Sequence, residues 1–431
     1  MAFLTAVQKW LTPGIGIKRW LVLVIVGLGF IALGLAAVLI QATGNESITQ
    51  TLLQLGLVEI VLCFLIGLAL VSFGLYHMSM NILAPFRRQV QGRVVDVVYT
   101  HNVRQRGVRV VAVGGGTGLP SALRSLKAFT SNITAIVTVA DDGGSSGRLR
   151  QDLGILPPGD LRNNIAALAD DESFMTRLFQ HRFTNGDLKG HAFGNIFIGA
   201  MSGITGSLET ALIEIERVLN IQGRVLPSTL EDVTLFAEIA KTEASSIIVQ
   251  GESNIPAAGG RIQNLWLEPE PQAYSGSIEA ILNADIVVLG PGSLFTSILP
   301  NLLIKEISAA VRATKAYKIY ICNIATQPGE TDTFSVADHV LALEKYIGRG
   351  VFQLVLANNS YPVENAGRNT HYVTPAPAHH EILQRYEVQY VDLVDPERPW
   401  RHDPHKLAEA ILRFGEAERS TSSSAKALSP F

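Results

Sequence analysis

VRVVAVGGGTGLPSALRSLKAFTSNITAIVTVADDGGSSGRLR, residues Val108 to Arg150, decides how this chain folds. Val108 to Val113 is a β-branched run suited to a strand buried on both faces. Gly114, Gly115, Gly116 and Gly118 follow at once. Leu119 to Lys127 then has helical spacing, with Leu119, Leu123 and Leu126 on one face and Pro120 in the first turn, where its missing N–H costs nothing. Ile133 to Ala140 is a second buried-strand run, ending in Asp141, Asp142, Gly143, Gly144, Ser145, Ser146, Gly147 and Arg148. Strand, glycine turn, helix, strand, glycine turn is the opening unit of a Rossmann-like, doubly wound and mostly parallel α/β sheet. Both turns leave the carboxyl edge of that sheet, where ligands bind.

Loops without Cβ atoms bring backbone N–H groups close to anionic oxygens, and a following helix N-terminus adds partial positive charge. The familiar fingerprints nevertheless fail. A G-x-G-x-x-G counted from Gly114 needs glycine or alanine where the chain has Leu119, and a P-loop needs glycine and lysine at Leu119 and Pro120. A turn that merely requires glycine would explain one such loop. Two of them, with Arg148 and Arg150 nearby, favour an anion site. A dinucleotide-dependent oxidoreductase with Asp141 on a ribose is the weakest reading of the pair.

Outward from this unit the composition changes. The 431 residues carry a net charge of −3, which gives no electrostatic case for nucleic acid. The 2 cysteines, Cys63 and Cys322, make neither a disulfide framework nor a cysteine metal site. Trp20 to Ile40 has no charged residue, and Leu55 to Tyr76 is interrupted only by Glu59 near its start and by Ser72. Each is long enough to span a bilayer. A second span and the length of the first argue against a cleaved signal peptide. Lys9, Lys18 and Arg19 precede the first run, and Arg87, Arg88, Arg93, Arg104 and Arg106 follow the second, while the short QATGNESITQT between them has no Lys or Arg. The positive-inside rule then places both flanks in the cytoplasm. The expected organisation is a two-pass membrane hairpin over 1–80, with spans at about 20–40 and 55–76. A basic connector over 81–107, with a short strand at Val94 to Tyr99, leads to a binding domain over 108–415 and a disordered tail over 416–431.

Within the domain, PPGDLRNN turns into a helix that Asp160 is expected to cap, with Arg162, Asn163 and Asn164 in its first turn. GHAFGN supplies His191, read as structural rather than catalytic, and Asn195, a candidate ligand contact, ahead of helices at Ile196 to Met201 and Ser207 to Leu219. From Val225 to Pro269 a β-rich insertion is expected, with strands at Val233 to Ala240, Ser246 to Val249 and Arg261 to Leu267. The buried strand Ala284 to Leu289 ends in Gly290, Pro291, Gly292 and Ser293, and Ser293 is expected to cap the next helix. GPGSLF lacks the nucleophile-elbow pattern. Strands at Tyr317 to Ile324 and Val351 to Ala357 follow, the first running into Thr326 to Thr331 and the second into Asn358 and Asn359. Five strands ending in polar or glycine-rich loops on one edge imply a binding crevice. Arg401, His402 and Asp403 precede a short helix, Pro404 to Phe414.

GGGTGLP, VTVADDGGSSGRLR, PPGDLRNN, GHAFGN, GPGSLFTSILPNLL, NIATQPGET and RHD stand here in the order seen in the gluconeogenesis factor family. This is the YvcK-like branch of the CofD-like proteins, and the chain resembles it from about Val108 to Phe414. The resemblance implies a Rossmann-like domain related to 2-phospholactate transferase. For this branch it implies a regulator tied to growth on gluconeogenic carbon, cell shape and wall synthesis, one that binds UDP-N-acetylglucosamine. Catalytic residues are not assigned. The positions expected to line the nucleotide site are Gly114, Gly115, Gly116, Thr117, Gly118, Asp141, Asp142, Gly143, Ser145, Ser146, Arg148, Arg162, Asn163, Asn195, Gly292, Ser293 and Asn323. Phe295 stands where tyrosine is common in the family. Two function classes follow. One is a membrane-anchored, nucleotide-sugar-binding regulator with no metal, whose partners are the nucleotide sugar, the membrane, cell-wall synthesis proteins and, as an open alternative, a second copy of the chain. The other is a transferase moving a phosphoryl-linked group from a nucleotide donor, in which Asp141 and Asp142 would hold Mg2+.

Overall fold

The two apolar runs near the N-terminus form α1 (Lys18–Thr43) and α2 (Leu57–Leu83). Both are long and apolar enough to cross a membrane. The computed structural model describes residues 18–43, 57–83, 104–169, 172–362 and 370–427. The loop between the two helices and the connector strand expected at Val94 to Tyr99 lie outside these residues. Glycine sets how closely α1 and α2 pack. A Cβ on Gly27 would lie 2.8 Å from the carbonyl oxygen of Gly67, one on Gly67 would lie 2.7 Å from that of Gly27, and one on Gly74 would lie 2.7 Å from Val24 Cγ2. Trp20 stacks on His77 with ring centroids 4.3 Å apart. Leu21, Val22, Ile25, Leu62, Leu65 and Leu68 point outward and are exposed, the pattern of a helix pair whose surroundings are apolar.

The residues from Asn102 onward form a separate compact unit. β1 (Val110–Gly114) passes through the first glycine turn into α3 (Leu119–Leu126) and returns as β2 (Ile133–Val137). Five helices follow: α4 (Gly144–Leu153), α5 (Gly159–Leu168), α6 (Glu172–Gln180), α7 (Phe193–Thr205) and α8 (Leu208–Leu219). After β3 (Arg224–Pro227) the chain leaves the main sheet. β4 (Thr234–Thr242), β5 (Ser245–Gln250) and, beyond the short α9 (Asn254–Ala258), β6 (Arg261–Glu268) make an antiparallel sheet in the order β5-β4-β6. This is the expected β-rich insertion. α10 (Ser275–Leu282) leads back to β7 (Ile286–Leu289). A π-helical turn, Leu294–Ile298, then runs into α11 (Leu299–Leu302) and α12 (Lys305–Ala313). The last elements are β8 (Tyr317–Ile321), α13 (Val336–Ile347), β9 (Leu354–Asn358), α14 (Ile382–Arg385), β10 (Glu387–Val391) and α15 (Pro404–Ala427).

The main sheet has the order β10-β9-β8-β7-β1-β2-β3 and is parallel throughout. Alternation along β1 divides two cores. Val111 and Val113 join β4, β6, α12 and α13 on one face, while Val110 and Ala112 join α3, α5, α7 and α15 on the other. From β1 the chain moves outward to β2 and β3 on one side, and from β7 to β8, β9 and β10 on the other. The loops after β1 and β7 therefore diverge, which makes the junction between them the topological switch point of the sheet.

Two expectations change. The second glycine stretch is not a free turn, since α4 begins at Gly144 and carries Ser145, Ser146 and Arg148 in its opening turns. The C-terminal helix does not stop near Phe414 but continues to Ala427, through the segment expected to be a disordered tail, where no proline interrupts it.

Candidate functional site

Glycine brings the two diverging loops together at the switch point. Gly116 adopts φ +63°, a left-handed conformation that β-carbon sterics disfavour. Gly118 is helical (φ −77°, ψ −50°), so its backbone alone does not demand glycine. Proximity does: a Cβ there would lie 2.7 Å from the Pro291 carbonyl oxygen and 3.0 Å from Gly292 Cα. The contact is secured from behind. The Gly290 N–H donates to Val113 O at 2.9 Å, and Asn301 Nδ2 donates to Gly114 O at 3.0 Å.

A cleft of about 240 Å3 opens here. It is lined by Gly116–Gly118 and Ser121 from the β1 loop, Pro291–Ser293 and Ser297 from the β7 loop, and Asn323–Pro328 from the β8 loop. Thr370 and Trp400–His402 complete it. Of the residues expected from the sequence, Gly116, Thr117, Gly118, Gly292, Ser293 and Asn323 line this cleft. Arg401 is the one permanent cation among the described lining residues. Burial pushes the His402 imidazole down to about 4, so it is neutral near pH 7.

A second group of expected residues meets beside the first loop. The buried Arg162 donates from Nη1 to Asn195 Oδ1 at 2.9 Å and from Nη2 to Asn163 Oδ1 at 3.0 Å. Burial lowers the Arg162 pKa, and the nearby Arg182 adds to that effect. Asn195 Nδ2 donates to Ser145 Oγ at 3.0 Å and reaches Ser146 Oγ at 3.4 Å. Ser145 Oγ also accepts the Ala192 N–H, which directs its own proton to His191 Nδ1, 3.3 Å away. His191 is thus buried and hydrogen-bonded.

Asp141 and Asp142 diverge. Asp141 Oδ1 accepts the Gly143 N–H at 2.9 Å, and burial raises its pKa. Asp142 Oδ1 accepts the Ser253 N–H at 2.9 Å and borders a separate polar hollow with Arg150, Gln151 and Gln250. Arg148 is exposed, bonded to the Lys189 carbonyl at 3.3 Å, and lies outside both the cleft and the Arg162 network.

Neither expected helix cap forms. α5 has no side-chain cap. Asp160 instead accepts the Gly116 N–H at 2.7 Å, and Gly115 is glycine because a Cβ there would sit 2.5 Å from Asp160 Oδ2. Burial pushes the Asp160 carboxyl up to about 7. Ser293 likewise makes no cap; its Oγ accepts from Gln327 Nε2. At the helical start after β7, Glu330 accepts from Thr296 Oγ1 at 3.2 Å and lies near enough to the Phe295 and Thr296 N–H groups for them to favour its charged form. Its Oε2 is buried without a partner among the described residues, and burial lifts this carboxyl to about 7 as well. Phe295 is 3% exposed and packs edge-on against Phe334, so it belongs to the core and not to the cleft.

Asp160, Glu330, Gln327, Trp400 and Arg401 are the site residues that sequence reasoning missed. For Gln327 a signal was present in NIATQPGET, which follows β8 at the carboxyl edge of the sheet.

Fold and cleft together define a doubly wound α/β protein with a switch-point cleft framed by glycine loops. A family model described as 2-phospho-L-lactate transferase CofD matches residues 110–395. A Nostoc protein named putative gluconeogenesis factor is 43% identical, covering 94% of this chain and 92% of its own length. The Bacillus subtilis gluconeogenesis factor is also 43% identical but covers 70% of this chain and 97% of itself. A Bacillus halodurans crystal structure superposes with a TM-score of 0.67 at 41% identity, covering 71% of this chain and 100% of its own. The chain belongs to the gluconeogenesis factor family of CofD-like proteins. The two Bacillus matches are no longer than the α/β unit, whereas coverage of 94% takes the Nostoc match into the segment that holds α1 and α2.

Proposed function

We propose that this protein is a membrane-anchored regulator that binds a nucleotide sugar of the UDP-N-acetylglucosamine type in the switch-point cleft. The observation that supports it most is the contact of Gly116–Gly118 with Pro291–Ser293. The hydroxyls of Thr117, Ser293 and Ser297 and the Arg401 guanidinium border the same cleft. Such a lining suits a diphosphate: hydroxyls donate to its oxygens and a guanidinium offsets their charge. The two apolar helices and the arginine-rich flanks support a two-pass anchor with the α/β unit on the cytoplasmic side, near membrane-bound wall synthesis. In this reading the bound nucleotide sugar reports carbon supply to cell-wall synthesis proteins.

A transferase acting on a phosphoryl-linked group is the second reading. It is favoured by carboxylates close to the β1 loop, Asp141 and Asp160, with Glu252 near enough for their charges to raise its pKa. Calorimetric titration of the full chain in mild detergent separates the two. UDP-N-acetylglucosamine, UDP and GDP are compared with and without Mg2+, and the recovered ligand is checked for breakdown. Saturable binding of intact UDP-N-acetylglucosamine supports the regulator. Preference for GDP, or metal-dependent consumption of ligand, refutes it in favour of the transferase.

A further inference from the structure

Trp400 is unlike the other described tryptophans. Trp266 stacks on Phe236 at 5.7 Å and donates its Nε1 proton to Glu268 at 2.6 Å, and Trp20 stacks on His77. Trp400 is 46% exposed, lines the cleft, and has neither a ring partner nor a hydrogen bond among the described residues. An indole left half in water adds little to the core, so its place in a binding cleft asks for another explanation.

The segment that carries it is firmly held. The Arg401 N–H donates to Arg398 O at 2.8 Å, and Arg401 O accepts the Asp395 N–H at 3.0 Å. Arg398 pairs with Asp395 at 3.0 Å. The next residue, His402, bridges Val394 and reaches the Cys322 carbonyl at the end of β8 at 3.2 Å. The backbone on either side of the ring is thus held in place, and little main-chain freedom is lost when a flat ligand lies against the indole. The cleft is also chemically uneven. Apart from Pro291, glycine backbone and serine or threonine hydroxyls make up its β1 and β7 walls, while Ile324, Ala325 and Pro328 add apolar surface among the polar Asn323, Thr326 and Gln327 on the β8 side. Thr370 adjoins that side, because its neighbour His371 exchanges hydrogen bonds with Thr326 at 2.8 and 3.0 Å. Its Oγ1 is buried without a partner among the described residues.

We propose that Trp400 is the stacking platform for the base of a bound nucleotide. The ligand's direction then follows: base toward Trp400 and the β8 loop, diphosphate toward Gly116–Gly118 and Ser293. The inference rests on the nucleotide reading above and adds which wall takes which end. It is tested on the full chain in detergent with UDP as the probe, by calorimetry and by indole fluorescence. UDP is expected to quench the wild-type emission. Trp400→Ala is expected to weaken UDP binding about 5- to 150-fold, the factor that base–aromatic stacking carries. Trp400→Phe, which keeps an aromatic face, is expected to retain affinity within about threefold and to lose the quench. Native affinity in Trp400→Ala, or a quench that persists in Trp400→Phe, overturns this inference and leaves the nucleotide reading standing. A wild-type chain that binds neither UDP nor UDP-N-acetylglucosamine overturns both.

Discussion

Gly118→Ala isolates the contact between the two loops from every other glycine effect. Its backbone is helical, so alanine fits without strain, and restricting the unfolded chain would by itself stabilise by about 0.4–1 kcal/mol. The new Cβ, however, would lie 2.7 Å from the Pro291 carbonyl oxygen and 2.9 Å from its carbonyl carbon. Both are backbone atoms that cannot rotate away. Ordinary contact begins near 3.4 Å, so the loops must part by roughly 0.7 Å, and overpacking of this kind costs about 1–3 kcal/mol. The net expectation is a loss of about 1–2 kcal/mol in stability. A ligand held between the loops should also bind about tenfold more weakly, the equivalent of about 1.4 kcal/mol. Gly114→Ala is the control, because its Cβ would meet Leu119 at an ordinary 3.7 Å. Urea unfolding and calorimetric titration of both variants provide the readout. A Gly118→Ala chain as stable and as tight-binding as Gly114→Ala would refute the loop contact as the basis of the cleft.

Stability should depend on pH through three desolvated carboxyls, Glu330 buried and Asp160 and Glu252 half-buried. Burial holds Asp160 and Glu330 at about 7 and Glu252 at about 8, against ordinary values of 3.8 for Asp and 4.5 for Glu. Raised acid pKa values mean that the folded chain keeps protons the unfolded chain releases. Their stabilisation is therefore full below about pH 4 and falls as pH rises toward 7 to 8. Glu330→Gln should flatten that slope, raising stability more at pH 8 than at pH 5, and a slope unchanged in urea titrations would contradict it. Arg162→Lys should cost about 1–2 kcal/mol, since an ammonium cannot reproduce the planar fork that holds Asn163 and Asn195 together; an unshifted unfolding midpoint would count against the network. Removing residues 1–80 should release a soluble unit with unchanged affinity for UDP-N-acetylglucosamine. A fragment that stays folded but no longer binds would show that the apolar helices are more than an anchor.

Much of this architecture was legible because the central strands carry their own signal. β1, β2, β7, β8 and β9 are β-branched or aliphatic runs that end in glycine or polar residues, and a parallel strand buried on both faces leaves that pattern. β3 and β10 at the sheet edges escaped notice, one short and ending in Pro227, the other only half-buried. Loop positions such as Gly116 and Gly118 could be read locally because backbone approach requires glycine wherever the partner lies. Asp160 and Glu330 could not. Helix-start rules assign Asp160 and Ser293 to their own helices, but the fold brings Gly116 to Asp160 across 44 residues and Glu330 to Thr296 across 34. A carboxylate that can bond a buried N–H elsewhere is worth more there than at a helix end that water can solvate. Asp141 and Asp142 show the same limit: adjacent in sequence, they bond Gly143 and Ser253 in different directions.

The most direct test of the nucleotide-sugar cleft is amide hydrogen exchange of the full chain in detergent, with and without saturating UDP-N-acetylglucosamine. Added protection is expected in peptides covering Gly114–Ser121, Gly290–Ser297, Asn323–Pro328 and Arg398–His402, with little change in the β4–β6 sheet. Protection centred on that sheet, or none in the two glycine-bearing loops at saturation, would contradict the placement of the ligand at the switch point.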